Sequence, residues 1–136
     1  MSCEEANTLV MDDESLARFI LFSKWIRADQ TVKPDAFVPR PYPDLDLSVT
    51  RHSNLAEQAL WKIAQDVADT SKRNLYGRAD IYASSVRRQN LKIEPAPALN
   101  NPNHANVIDR PADKSAQKSI AQQLAADSAY QVRQSA

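Results

Sequence analysis

The sequence has a single glycine, Gly77, in 136 residues. Loops that hold nucleotide phosphates in Rossmann and P-loop proteins need several glycines at fixed spacing, because backbone N–H groups must approach the phosphates closely. One glycine cannot supply either motif. Nucleotide binding of these two kinds is therefore disfavoured.

Cysteine, net charge and long apolar runs are also scarce. The one cysteine, Cys3, cannot form a disulfide within the chain, so nothing indicates an oxidising compartment. Lys+Arg and Asp+Glu both number 17, which gives no reason to expect long-range attraction to nucleic acid or anionic lipid. The longest apolar run, Phe19–Phe22, is far shorter than the ~20 residues of a membrane span, and the acidic start argues against a secretory signal. These features predict a cytoplasmic protein.

What the chain does contain suits one domain. Hydrophobic residues make up 43% and charged residues 25% of the sequence, which is typical of globular proteins. We predict an α+β domain over residues 13–130, between flexible ends at 1–12 and 131–136. Its small mixed or antiparallel sheet should pack against two to four helices.

Two proline clusters, at 34–43 and 95–111, divide the chain into three parts, and neither cluster should be helix or central strand throughout, because proline disfavours both. Residues 45–51 alternate apolar and polar side chains, which indicates a half-buried strand. Shorter strands are predicted at 91–93 and, at a sheet edge, at 105–108. Residues 32–38 should form a short extended piece.

Helical spacing is clearest over residues 54–69, where Asn54 should cap the first turn and Glu57 should complete a capping box. A short helix is predicted over 80–89, after a turn at 76–79 around the only glycine. A last helix should run from a cap at Asp113 to about Ala129, with a narrow apolar stripe. The apolar segment 16–26 fits a helix or a strand, since periodicity does not separate them in a short run. We favour the helix slightly.

Two histidines are the natural candidates for acid–base chemistry. His52 follows Arg51 just before a predicted helix N-terminus, a location that suits anions. His104 lies in a polar segment with Arg110 downstream. If these four residues converge in space, they would form a small catalytic or nucleic-acid-handling site.

The asparagines around His104 allow two interpretations. Asn101 and Asn103 either hold a tight loop through their side-chain amides or present a ligand-binding loop together with His104, Asp109 and Arg110. We favour the structural interpretation.

A basic set with interleaved tyrosines is a further candidate, because cations bind phosphates and aromatic rings stack on bases. Its members are Lys72, Arg73, Tyr76, Arg78, Tyr82, Arg87 and Arg88. A solvated surface with acidic neighbours is the alternative we favour. Trp25 and Trp61 are expected to pack in or beside the core. The two histidines and one cysteine show no ligand spacing, so we predict neither a metal site nor a cofactor.

Four short segments of the sequence resemble a family of small bacterial proteins that has no established activity. They are Ala36–Pro39, Leu47–Arg51, Tyr76–Ile81 and Asn101–Val107. The resemblance covers most of the chain and implies a bacterial cytosolic protein, an accessory component of a multi-gene system. It supplies no catalytic role.

Two hypotheses about function follow from the sequence. The first is an accessory protein that acts through a protein partner or through self-association, supported by the neutral charge and a weakly apolar last helix. The second is a small enzyme or nucleic-acid-handling domain that uses Arg51, His52, His104 and Arg110. No membrane partner is expected, and nucleic acid is the less favoured ligand.

Overall fold

The centre of the fold is the strand Ser15–Ile20 (β1). The structure is a computed structural model that describes residues 9–38, 47–53 and 55–133. In these ranges, six strands form one antiparallel sheet in the order β4-β5-β2-β1-β3-β6, and three α-helices pack beside it. The other strands are Leu47–Arg51 (β2), Gly77–Tyr82 (β3), Lys92–Pro95 (β4), His104–Ile108 (β5) and Ala129–Gln131 (β6). The helices are Glu57–Thr70 (α1), Ala83–Arg88 (α2) and Lys114–Asp127 (α3), with 3₁₀ helices at Ser23–Trp25 and Pro34–Phe37. The predicted α+β class with a small antiparallel sheet is confirmed.

Strand β1 is buried on both faces of the sheet. Leu16 and Ile20 belong to one hydrophobic cluster, and Ala17 and Phe19 belong to another. Because successive side chains of a strand point to opposite faces, a strand that is covered on both sides shows no alternation of apolar and polar residues. The preference for a helix over 16–26 was wrong for this reason.

The larger hydrophobic cluster lies on the face of Leu16, here called the core face. Val49 and Val107 contribute to it from β2 and β5. It is covered by α2, by α3 and by the segment of the two 3₁₀ helices, with Phe37 and Trp25 buried within it. Residues 34–37 are helical here, so the predicted extended piece at 32–38 is wrong over that part.

Helix α1 covers the opposite face, here called the second face. Its residues Leu60, Trp61 and Ala64 pack on Ala17 and Phe19. The predicted helix at 54–69 is confirmed, but it begins at Glu57, after an Ala56 cap that has no side-chain bond. The predicted cap, Asn54, lies outside the described residues.

Several boundaries differ from the predictions. The strand at 105–108 is confirmed, but β5 lies between β4 and β2 and is not an edge strand. Residues 80–82 extend β3, so the helix predicted from residue 80 begins at Ala83. The last helix is capped as predicted, since Asp113 Oδ2 accepts a hydrogen bond from Ala116 N. It ends at Asp127, and β6 follows it without having been predicted.

Both tryptophans are buried, as predicted. Within the described ranges, the structure has no helix that is both long enough and apolar enough to cross a membrane.

Gly77 lies inside β3, so the turn predicted around it is wrong. A Cβ atom at this position would lie 2.5 Å from the carbonyl oxygen of Gln131 and 2.7 Å from the ring of Tyr130. The absence of a side chain is therefore what allows β6 to approach β3. Glycine in a strand often marks such a close backbone approach.

Replacing Gly77 by alanine should detach or displace β6, because the obstructing oxygen belongs to the backbone. We expect a loss of about 1–3 kcal/mol in the free energy of unfolding, as for other overpacked sites. Urea denaturation of Gly77→Ala measures it. Ala79→Gly, in the same strand, is a control for the general cost of a changed β3. Wild-type stability and an unchanged hydrogen-exchange rate at β6 in Gly77→Ala would contradict this account of the glycine.

Candidate functional site

Four residues form a row across the second face. Asp80 pairs with Ala17, Ala17 pairs with Thr50, and Thr50 pairs with His104. Directly opposed residues in antiparallel strands project to the same face, so these side chains are neighbours. Helix α1 packs on the β1 part of this face. The β2–β5 part keeps polar side chains at its surface.

An ion-pair network occupies the β3 end of the row. Arg78 is buried and donates hydrogen bonds to both carboxylate oxygens of Glu57, at 2.7 and 3.0 Å, and to Asp80 at 2.9 Å. Its guanidinium lies 4.7 Å from the centre of the Trp61 ring. Burial alone would lower the pKa of Arg78, but the hydrogen bonds to Glu57 and Asp80 raise it above its ordinary value. Arg78 therefore anchors the start of α1 to β3.

The side chain of His52, the residue that follows β2, also contacts this network. Its Nε2 lies 3.1 Å from Asp80 Oδ1, the oxygen that also accepts from Arg78 Nε. His52 N donates to Ser15 O in β1, so the imidazole reaches Asp80 across β1. A carboxylate beside a histidine orients the ring, and here the same carboxylate is also held by an arginine.

The pair between Glu57 and Arg78 predicts a pH-dependent stability. The hydrogen bond from Arg78 lowers the pKa of Glu57 in the folded chain. The stabilisation is therefore present above the ordinary glutamate pKa and is lost as the pH falls through the lowered value. Urea denaturation from about pH 7 to about pH 3 should show wild type more stable than Glu57→Gln at neutral pH, with the difference vanishing in acid. A difference that does not change with pH would contradict the charged pair.

A cleft of about 270 Å³ opens on the second face, beside the C-terminal half of α1. Its floor includes Phe19, Thr50 and His104, one wall includes Val67, and the facing wall is the loop 98–101. The cleft is lined on one side by apolar groups and on the other by hydroxyl, amide and imidazole groups. The described lining contains no aspartate or glutamate.

His104 has a defined orientation at the cleft. Its Nδ1 lies 2.9 Å from the carbonyl oxygen of Ala96, and the peptide N–H of Ala96 donates to His104 O. A carbonyl oxygen only accepts, so Nδ1 carries the proton. In the neutral form of the ring, the lone pair is then on Nε2. His104 can accept a hydrogen bond from a ligand, but no acidic side chain of the described lining stands beside it to act as a partner in proton transfer.

The asparagines of the loop make bonds within the chain. Asn101 is buried, and its Nδ2 donates to Thr50 Oγ1 at 2.8 Å. Asn103 Nδ2 donates to Arg51 O at 2.9 Å, and Asn103 N donates to Asn101 Oδ1. These contacts tie the loop to β2, which is the kind of role that the structural interpretation assigns to the two amides.

Leu99 lies in a turn at the start of the same loop. Ala98 and Asn101 exchange backbone hydrogen bonds at 2.9 and 3.1 Å, which closes a two-residue turn over Leu99 and Asn100. Leu99 is fully exposed at its tip. Leu99 is not among the candidate residues predicted from the sequence, although a lone large apolar residue in a segment of proline and asparagine was an available signal.

Arg51 lies on the core face, because it pairs with Leu16 and the adjacent Thr50 points the other way. Its guanidinium donates to both carboxylate oxygens of Glu14, at 2.7 and 2.9 Å, and to Leu9 O. The hydrogen bond to Glu14 raises the pKa of Arg51. The sheet therefore separates Arg51 from His104, two of the four residues that the catalytic hypothesis brings together.

Arg110 is the fourth of those residues, and it is only 5% exposed. Its three guanidinium nitrogens are buried and have no hydrogen-bond partner among the described residues. Burial lowers the pKa of Arg110 to about 10, which leaves it charged at neutral pH. A buried cation without a partner costs stability, because it has lost its hydration.

Replacing Arg110 by methionine should therefore stabilise the fold. Methionine keeps a flexible unbranched stem and removes the charge. We expect a gain of about 1–3 kcal/mol in the free energy of unfolding. The gain should be constant below pH ~9 and should shrink above the lowered pKa, because the unfolded chain then binds more protons than the folded one.

Arg51→Met is the matched control for Arg110→Met. It should destabilise the fold, because it leaves Glu14 without its buried partner. Denaturation of both variants over a range of pH separates the two cases. A loss of stability in Arg110→Met would show that the charge of Arg110 is compensated.

The basic set does not form one surface. Arg78 pairs with Glu57 and Asp80, Arg87 pairs with Asp12, and Arg88 lies 4.0 Å from Asp127. Lys72 and Arg73 lie elsewhere, in the connection between α1 and β3. The part of the chain that the structure describes holds no group of three or more His, Cys, Asp or Glu side chains able to bind a metal ion.

Comparison with known proteins adds no relative. No protein-family model, no curated protein and no solved structure matches the chain. The resemblance to small bacterial proteins therefore stays a prediction, and the site itself is what bears on function.

Proposed function

We propose that this chain is an interaction protein that binds a protein partner through the cleft and the Leu99 turn. The observation that carries the proposal is Leu99, a large apolar side chain that is fully exposed in a turn whose last residue, Asn101, is buried and bonded to Thr50. An exposed apolar side chain next to a partly apolar cleft offers surface that a protein partner can remove from water.

The cleft is large enough to receive a side chain of a protein partner. Its volume of about 270 Å³ lies near the lower end of the ~300–1,000 Å³ typical of sites for drug-sized ligands. That side chain would pack on Phe19 and Val67, and a donor beside it would reach Nε2 of His104.

A second copy of the chain meets these requirements. Each copy carries one projecting Leu99 and one partly apolar cleft on the same surface. A two-fold symmetric contact needs such self-complementarity, because each copy then inserts its residue into the other. Self-association is therefore the first form of the interaction to test, and a different protein is the second.

We place this interaction in the bacterial cytoplasm, within a multi-gene system. The proposal is supported by the resemblance of four sequence segments to small bacterial proteins. It is also supported by the single cysteine, because one cysteine makes no disulfide within the chain and so gives no indication of an oxidising compartment. Growth of a deletion strain under the conditions that require the neighbouring genes would examine this setting.

Replacing Leu99 by aspartate should abolish or weaken the interaction, because a charge would enter the apolar centre of the interface. Truncation of an interface anchor costs about 2 kcal/mol or more, which corresponds to at least roughly tenfold weaker binding. Sedimentation of the purified chain over a range of concentrations measures self-association. Capture from extracts of the native host, with wild type and Leu99→Asp as parallel baits, measures a different partner.

Tyr82→Ser is the matched control, because Tyr82 is also a large exposed side chain but lies on β3. It should leave both readouts unchanged. The proposal would be wrong if Leu99→Asp gave the same sedimentation and the same captured proteins as wild type.

A further inference from the structure

A second surface lies next to the cleft and shares Leu21 with it. This groove of about 500 Å³ lies between the segment that follows β1 and the connection between α1 and β3. Its charged and aromatic lining consists of Phe22, Lys24, Lys72, Arg73 and Tyr76. We call it the basic groove.

The groove brings three cations together. Lys24 Nζ lies 5.7 Å from the centre of the Phe22 ring, and the Arg73 guanidinium carbon lies 4.5 Å from the same centre. Lys24, Lys72 and Arg73 are all exposed, and none forms an ion pair with a described acidic residue. Like charges gathered without anions repel one another, and an anionic ligand would offset that repulsion.

Backbone hydrogen bonds fix the main-chain positions of two of the three basic residues. Lys72 N donates to Asp69 O and Arg73 N donates to Ala68 O, which closes the C-terminus of α1. Lys72 has φ 56°, the left-handed conformation that glycine ordinarily supplies after a helix. The helix dipole favours a cation at this end of α1, but it does not account for Lys24, which comes from a different segment. The three charges therefore share a surface and not an element.

Aromatic surface completes the groove. Tyr76 is 39% exposed, and its backbone is held, since its N–H donates to Ile20 O and its carbonyl accepts from Tyr130 Oη. Phe22 is half-buried beneath Lys24 and Arg73. Bases stack on exposed aromatic rings and on guanidinium planes, while lysine and arginine bind the phosphates between them.

We infer that the basic groove binds single-stranded nucleic acid, with phosphates on Lys24, Lys72 and Arg73 and a base stacked on Tyr76. A free phosphate would use the cations but not the ring. An acidic peptide would use the cations without requiring a planar surface. This inference does not rest on the proposed protein interaction, because Leu99 is no part of the groove.

The test is fluorescence anisotropy of labelled short single-stranded DNA and RNA with the purified chain at several salt concentrations. Binding should weaken with salt with a slope of about −0.7 per phosphate contact, or about −2 for three contacts. Lys72→Glu with Arg73→Glu should weaken binding at least roughly tenfold at low salt and flatten the slope. Tyr76→Ala should weaken binding while leaving the slope unchanged.

Lys118→Glu is the matched control, because Lys118 is an exposed cation on α3. It should bind as wild type does. If the double reversal does not fold, as judged by its melting curve, Lys24→Gln with Lys72→Gln gives the same comparison with neutral side chains.

Three results would each overturn the inference. One is no binding of single strands at low salt. Another is equal weakening by Lys118→Glu and by the variants of the groove. The third is displacement of the oligonucleotide by inorganic phosphate at an equal concentration of phosphate groups, which would reduce the groove to a phosphate site.

Discussion

The burial of β1 on both faces is the constraint on which the rest of the structure depends. Leu16 and Ile20 must be buried by other segments on the core face, while Ala17 and Phe19 must be buried on the second face. Among the described residues, the first is covered by the 3₁₀ segment with α2 and α3, and the second mainly by α1. One helix does not cover a six-stranded sheet, so polar side chains of β2 and β5 remain at the surface of the second face. The cleft exists because the cover of that face is incomplete.

Contacts across the strands decide how the charged groups and β6 are arranged. His52 contacts Asp80 across β1, and Gly77 leaves room for β6 beside β3. Arg78 is then enclosed by Glu57, Asp80 and Trp61, so its charge serves to fix α1. These ionised groups are satisfied within the fold. The described lining of the cleft contains hydroxyl, amide and imidazole groups but no carboxylate.

Leu21, the residue that follows β1, lines both the cleft and the basic groove. Both surfaces also include residues at the C-terminal end of α1 or just after it. One surface offers an exposed leucine with polar groups, and the other offers three cations with an exposed tyrosine. Under the two proposals made above, ligands of different chemistry would bind side by side on this chain.

Much of the architecture was within reach of the sequence. The stripe of α1, the alternation in β2 and the cap at Asp113 are local patterns, and each predicts its element because backbone periodicity and capping act over a few residues. The asparagines and His104 were found as a polar loop for the same reason. By itself, then, the sequence determined the α+β class, most helices and the candidate loop. Only the tertiary structure decided that β1 is a strand, that Gly77 receives β6, that Arg51 and His104 lie on opposite faces, and that Lys24 joins Lys72 and Arg73. These features depend on which faces of the sheet are covered and on contacts between segments that are distant in the sequence. A pattern of neighbouring residues specifies neither.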